Sequence, residues 1–224
     1  MNISALFLLV IAGIIGWWLF ARQLTAKPWE RAQRDSDDRY AGGVALTLTP
    51  ARLGLWLFLA VITSFFGLFI SAYRMRMMLA DWSPLAEPSL LWINTLMLLL
   101  SSIAFQWARE AVERGDAPRT KFGLLAAGLL AVAFLSGQFL AWQQLNASGS
   151  FLADNVALAF FYLLTGLHGL HLLGGLAVWG KATARVWLGG LETGEVRLSV
   201  QLCSVYWHYL LLVWLVLFAL LLAT

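Results

Sequence analysis

The chain is short of most residues on which soluble enzymes and secreted domains are built. Its one cysteine, Cys203, excludes an intrachain disulfide. With no CxxC or CxxCH anywhere, covalent haem attachment and a thiolate metal site are excluded as well. There is no GxxxxGK[ST] loop and no stretch long enough for a sizeable extramembrane domain, so ATP-driven transport by this chain alone has no basis. Charged residues make up only 12% of the sequence, and no Asp, Glu, Lys or Arg sits in the middle of its long apolar runs. What fills the chain instead is hydrophobic residues, 61% of the total, in blocks rather than in the alternating or amphipathic patterns of soluble folds.

Runs of about 20 predominantly apolar residues are long enough to cross a bilayer core as helices. Six are present, at 3–21, 52–73, 90–108, 121–144, 155–180 and 199–223. They are separated by breakers such as Lys27-Pro28, Ser83-Pro84, Glu87-Pro88, Ala117-Pro118 and Gly189-Gly190. The expected fold is therefore all-α, a polytopic membrane helical bundle with six transmembrane helices. Lys and Arg set its orientation, because cytoplasmic loops hold the excess of positive residues. Thirteen lie in the connections after runs 1, 3 and 5 and two in the connection after run 2. Both termini are thus expected outside the cytoplasm, which an even number of spans requires of termini that share a side. The first run lacks a positive segment before it and carries its charges after it, which favours a retained helix over a cleaved signal. The expected organisation is an N-terminal transmembrane helix over 1–22, a cytoplasmic linker over 23–51 and a five-helix bundle over 52–224. The formal net charge of +3 is explained by the inside loops and gives no reason to expect nucleic acid as a partner.

Polar groups are costly in hydrocarbon, so those inside the spans are the functional candidates. All three histidines are among them, His168 and His171 in the fifth run and His208 in the sixth, with Gln138, Asn94, Ser101, Ser102, Thr63, Ser64 and Thr165. Counting inward from Lys181 and Arg197 at the helical rise places His171 and His208 at similar depths, roughly 15 Å, so they could meet across antiparallel neighbours. Three readings follow. Neutral imidazoles can tie helices together, helped by Gly166, Gly169 and Gly175, which let helices approach closely. Two imidazoles on facing helices can ligate a haem. An i, i+3 pair with a third histidine can hold zinc or copper. Tryptophans near span ends, Trp142 among them, read as interfacial anchors, while Trp207 and Trp214 lie deeper and read as packing against partner helices. Arg22, Arg52, Arg109 and Lys121, basic residues at span ends, are candidates for contact with phospholipid headgroups.

Five ordered segments go further: RLGLWLFLA…FFGLFISAY (52–73), LLWINTLMLLLSS (90–102), LSGQFLAWQQL (135–145), FYLLTGLHGLHLLGG (161–175) and VYWHYLLLVWLVLF (205–218). Together they closely resemble subunit III of cytochrome c oxidase, in the haem-copper oxidase superfamily, over about three quarters of the chain. The resemblance implies a non-catalytic subunit with no cofactor of its own, packed against the oxidase subunit I that holds haem and copper, reduces oxygen and pumps protons. It implies that the histidines are internal to the bundle, that a V-shaped cleft formed with the early helices holds lipid, and that the role is assembly and stability of the complex. Two departures stand out. Ile62 occupies the place of a glutamate usual in the family's WLFLASE, and Leu211 that of an aspartate following YWHFV, so roles of those acids do not carry over. The resemblance leaves open quinol oxidases and a protein associated with nitric oxide reductase. The histidines alone leave open a stand-alone haem- or quinone-binding membrane protein. The localisation expected is a bacterial inner membrane.

Overall fold

In hydrocarbon each backbone N–H and C=O must find its partner within its own segment, which leaves the helix as the available form for a single span. A computed structural model of the chain describes residues 50–79, 82, 89–147, 156–189 and 194–223. These form five helices: α1 (Pro50–Arg76), α2 (Leu90–Glu113), α3 (Ala117–Ala147), α4 (Val156–Gly189) and α5 (Gly194–Leu222). All five are long and apolar enough to cross a membrane, which with the apolar exterior makes this an integral membrane protein. The expected first helix, most of the linker and both termini of the six-span topology lie outside the described residues.

Each helix overruns its apolar run. At about 1.5 Å per residue they measure roughly 36 to 51 Å, against about 30 Å for a hydrocarbon core. The surplus is built from charged turns. In α2, Arg109 Nε reaches Glu113 at 3.3 Å, one turn on, and Arg114 pairs with Glu110 at the same distance. The apolar run marks what lies in lipid, whereas the hydrogen-bonded helix continues into the headgroup region until a breaker stops it. α1 starts at Pro50, two residues before the run, because the fixed φ of proline suits a first helical position.

α2 stops in a Schellman turn. Gly115 takes a left-handed φ of 75°, its N–H bonds Val112 O at 3.2 Å, and Asp116 N–H bonds Ala111 O at 3.0 Å. Asp116 then caps α3 through Oδ1, which accepts the Arg119 N–H at 3.1 Å. This three-residue connection lays α2 and α3 side by side as antiparallel neighbours. Helices α2, α3, α4 and α5 close a ring in that order, with α5 returning to α2, while among the described helices α1 lies on α4 and α5 alone.

Close approach inside the ring rests on α3, which buries a stripe including Gly123, Ala127, Ala131, Gly137 and Ala141. A Cβ at Gly137 would stand 2.0 Å from Asn94 Oδ1 of α2, and one at Gly128 would stand 2.1 Å from the Trp179 ring of α4. The outer surface is apolar, with Leu68, Leu129 and Leu170 all more than 60% exposed, as suits side chains solvated by lipid tails. Gly137→Leu should therefore destabilise the folded chain by about 1–3 kcal/mol, the usual range for overpacking. Gly67→Ala, where a Cβ meets nothing within 4 Å, should be neutral or slightly stabilising. Denaturant titration in mixed micelles measures both, and equal effects would remove the spacing role of Gly137.

Candidate functional site

A serine or threonine hydroxyl has one proton and two lone pairs, while an indole has a donor and nothing else. The centre of the bundle uses that difference repeatedly. On α2, Ser101 Oγ donates to Ala127 O of α3 at 2.8 Å and accepts the Trp207 Nε1–H of α5 at 3.0 Å, so one hydroxyl joins three helices. Thr95, on the same helix, gives its proton to Leu91 O at 2.8 Å and accepts from Trp214 Nε1 at 3.0 Å. Thr165 of α4 gives its proton to Phe161 O at 2.6 Å and accepts from Trp142 Nε1 of α3 at 3.1 Å. Thr63 of α1 donates to Leu59 O at 2.7 Å, so the 2.8 Å contact with Tyr209 of α5 has the phenol as donor. Trp179 of α4 donates directly to Leu124 O of α3 at 2.9 Å.

Gln138 joins the same core. Its Oε1 accepts from Asn94 Nδ2 at 3.0 Å, with both side chains almost fully buried. The histidines divide. His168 is completely buried, and because a carbonyl can only accept, its Nε2–H donates to Leu210 O of α5 at 3.1 Å. Its ring packs against Phe134 and Trp214, with centroids 5.7 and 5.3 Å away. His171 turns its Nδ1–H back to Leu167 O at 2.7 Å on its own helix; between helices its carbonyl accepts from Tyr206 Oη at 3.0 Å and its ring packs against Phe58 and Phe66 of α1. His208 likewise bonds Ser204 O at 2.6 Å, one turn back, and is exposed on the outer face of α5. The expected meeting of His171 with His208 is therefore not formed. Helical phase explains the difference, since equal depth does not put two side chains on facing surfaces.

This arrangement does not fit a bis-histidine haem, because Phe134 and Trp214 occupy the space beside His168 that a porphyrin edge requires. Among the described residues no three His, Cys, Asp or Glu side chains gather as a metal site. Of the three glycines singled out by sequence, a Cβ at Gly175 would come within 2.8 Å of Trp207 and Tyr206, one at Gly166 within 3.3 Å of Trp142, and one at Gly169 only within 3.7 Å of Leu135. Gly128 and Gly137, where the approach is tighter, and Gly123, where a Cβ would stand 2.9 Å from Ala108, were legible only as small residues on α3.

The candidate basic residues Arg52, Arg109 and Lys121 gather at one end, while Arg74 and Arg76 stand at the opposite end of α1. Arg52 Nη2 donates to Gln201 Oε1 at 3.3 Å, and Gln201 Nε2 donates to Glu113 at 3.2 Å, the same carboxylate that pairs with Arg109. Lys121 Nζ stands 5.5 Å over the Trp187 ring. Arg22 lies outside the described residues. Ile62 is buried in the core and Leu211 packs on its edge, so the places of the two missing carboxylates are filled by apolar contact.

The family model described as Cytochrome c oxidase subunit III matches residues 35–223. The chain belongs to that family. A "Cytochrome c oxidase subunit 3" of Arabidopsis thaliana is 34% identical over 126 residues, covering 56% of this chain and 46% of the relative. One of the same name from Synechocystis sp. is 30% identical over 174 residues, covering 75% of this chain and 72% of that protein. A "Heme-copper oxidase subunit I+III" of Aeropyrum pernix is 26% identical over 179 residues, 75% of this chain and 22% of that protein. The chain thus spans about half the length of the Arabidopsis relative and most of the Synechocystis one.

In this subunit III chain the indole donors carry the core. Trp142→Phe and Trp214→Phe should each cost about 0.5–1.5 kcal/mol, one interhelical hydrogen bond apiece. Trp107→Phe, on an exposed ring that meets Phe122 edge-on, should change stability by less than about 0.5 kcal/mol. Unfolding titrations of the three variants compare them, and a Trp107→Phe loss as large as the others would remove the assignment.

Proposed function

We propose that the chain is a non-catalytic, stabilising subunit of a respiratory haem-copper terminal oxidase. Family membership carries this reading, and the character of the polar core supports it. The bonds of Ser101, Thr95, Thr165, Asn94, His168 and Trp179 all run between helices or brace a bond that does, which is the behaviour of a scaffold. The catalytic subunit I is the partner and supplies the haem and copper chemistry, with this chain contributing no ligand. The subunit I+III name of the Aeropyrum pernix protein supports the pairing, since a fused relative links two parts that elsewhere meet as separate chains.

The topology completes the proposal: six spans, with residues 1–22 crossing once, residues 23–51 in the cytoplasm and both termini on the far side of a bacterial inner membrane. The gathering of Arg52, Arg109 and Lys121 at one end of the described helices supports that orientation through the positive-inside rule. Phospholipid headgroups would meet these cations there, in competition with their partners on the protein. His168, Gln138 and Thr165 serve assembly, with His171 and His208 as lesser members of the same polar set.

Purification through a tag on this chain in mild detergent should bring down a larger haem-bearing subunit. The haem spectrum and companion subunits then identify the electron donor. A colourless chain without a partner overturns the proposal. Proteolysis of a tag at either terminus should occur from the outside of intact spheroplasts and not from the cytoplasmic face of inverted vesicles; the reverse result overturns the topology. His168→Leu, which removes the bond to Leu210 O, should lower the yield of intact complex while leaving turnover per haem unchanged in what assembles. Loss of turnover at normal complex and haem content would instead place His168 in the chemistry.

A further inference from the structure

Where α1 crosses α4 and α5 the three helices enclose a cavity of about 430 Å³, lined by Phe58, His171, Gly174, Gly175, Cys203 and Tyr206. That volume is in the range of small-molecule sites. Leu170 and Val178, which also line it, are more than half exposed, so the cavity opens on the lipid-facing surface.

Hydrogen-bond bookkeeping narrows the occupant. His171 gives its Nδ1 proton to Leu167 O, so the neutral ring carries its free lone pair on Nε2. Tyr206 gives its hydroxyl proton to the His171 carbonyl, which leaves that oxygen as an acceptor too. Apart from the weak thiol of Cys203, the polar side-chain atoms of the lining can only accept. A hydrocarbon tail would leave them unpaired, and an ester or ketone oxygen would face acceptor with acceptor. A hydroxyl on an apolar body matches them. The rings of Phe58 and Tyr206, stacked at 6.1 Å with an interplanar angle of 30°, add aromatic surface against which a flat ring can lie. The geometry points to a binding site for a lipid-soluble ring alcohol, its hydroxyl donating to His171 Nε2 and its ring resting on Phe58 and Tyr206. Two membrane sources share this chemistry, a reduced quinone and a sterol-type alcohol. The inference rests on the cavity alone and stands apart from the choice of oxidase partner.

The test uses native membranes containing the full chain with whatever partners it holds. An aryl-diazirine derivative of thymol is photolysed there and the labelled residues are mapped by mass spectrometry, with thymol and thymol methyl ether as competitors. Label is expected on Phe58, Cys203 or Tyr206, with thymol about tenfold the better competitor, the discrimination that one hydrogen bond provides. Gly174→Leu, whose Cβ enters space with no atom within 4 Å, should abolish the labelling at unchanged protein content. His171→Phe should keep the label and lose the preference for thymol over its ether. Equal competition by the ether in the native protein, or undiminished labelling in Gly174→Leu, overturns the site. Competition by a short-chain ubiquinol and not by the matching ubiquinone identifies a reduced quinone as the source, and competition by cholesterol a sterol-type alcohol. Failure of both to compete overturns the inference.

Discussion

The structure depends on a mismatch between two kinds of hydrogen-bonding side chain. Indoles can only donate, and a hydroxyl that has committed its proton can only accept. Within the bundle, Ser101, Thr95 and Thr165 each give their proton to a carbonyl and so become fixed acceptors for Trp207, Trp214 and Trp142. In lipid, where helix surfaces gain little from the hydrophobic effect, such bonds and close packing are the main sources of specificity. Each is modest, but each has a defined direction and distance, so together they select one rotation for every helix in the ring.

Glycine makes those distances attainable. Trp179 reaches Leu124 O because its ring passes over Gly128, and Asn94 reaches Gln138 because its amide lies against Gly137. Bond and spacer belong together: a larger residue at either glycine would displace the donor as well as the helix. α1 has no such arrangement. It is held at its N-terminal end by Arg52 and Gln201, further along by Thr63 and Tyr209, and by Phe58 and Phe66 around the His171 ring, with centroids 6.5 and 5.7 Å away. A helix attached this way leaves room beside it, which is why the cavity lies there.

The helices themselves were legible in the sequence, because a run of apolar residues long enough to cross hydrocarbon has one way to satisfy its backbone. Their ends were less so. Charged turns such as Arg109 to Glu113 carry no hydrophobic signal yet remain helical through i, i+4 pairing. The site was legible in part: Gln138, His168 and Thr165 are polar residues deep in apolar runs, and all three make interhelical bonds. His208 carries the same signal but turns outward, since depth can be counted along a chain whereas the facing of two helices depends on their packing. Trp142 failed to stand out for the opposite reason. A tryptophan near a span end is the ordinary interfacial anchor, and its donor role becomes visible only when Thr165 lies beside it.

The three-residue turn at Gly115 also separates the bonds of the bundle by when they can form. α2 and α3 are tethered so tightly that bringing them together costs little loop entropy, and this pair can assemble as soon as its second member exists. The links from Trp207 to Ser101 and from Trp214 to Thr95 span 106 and 119 positions. They must wait for the last described helix to leave the ribosome. Until then Ser101 and Thr95 lack their indole donors, so closure of the ring doubles as a physical readout that synthesis has reached α5.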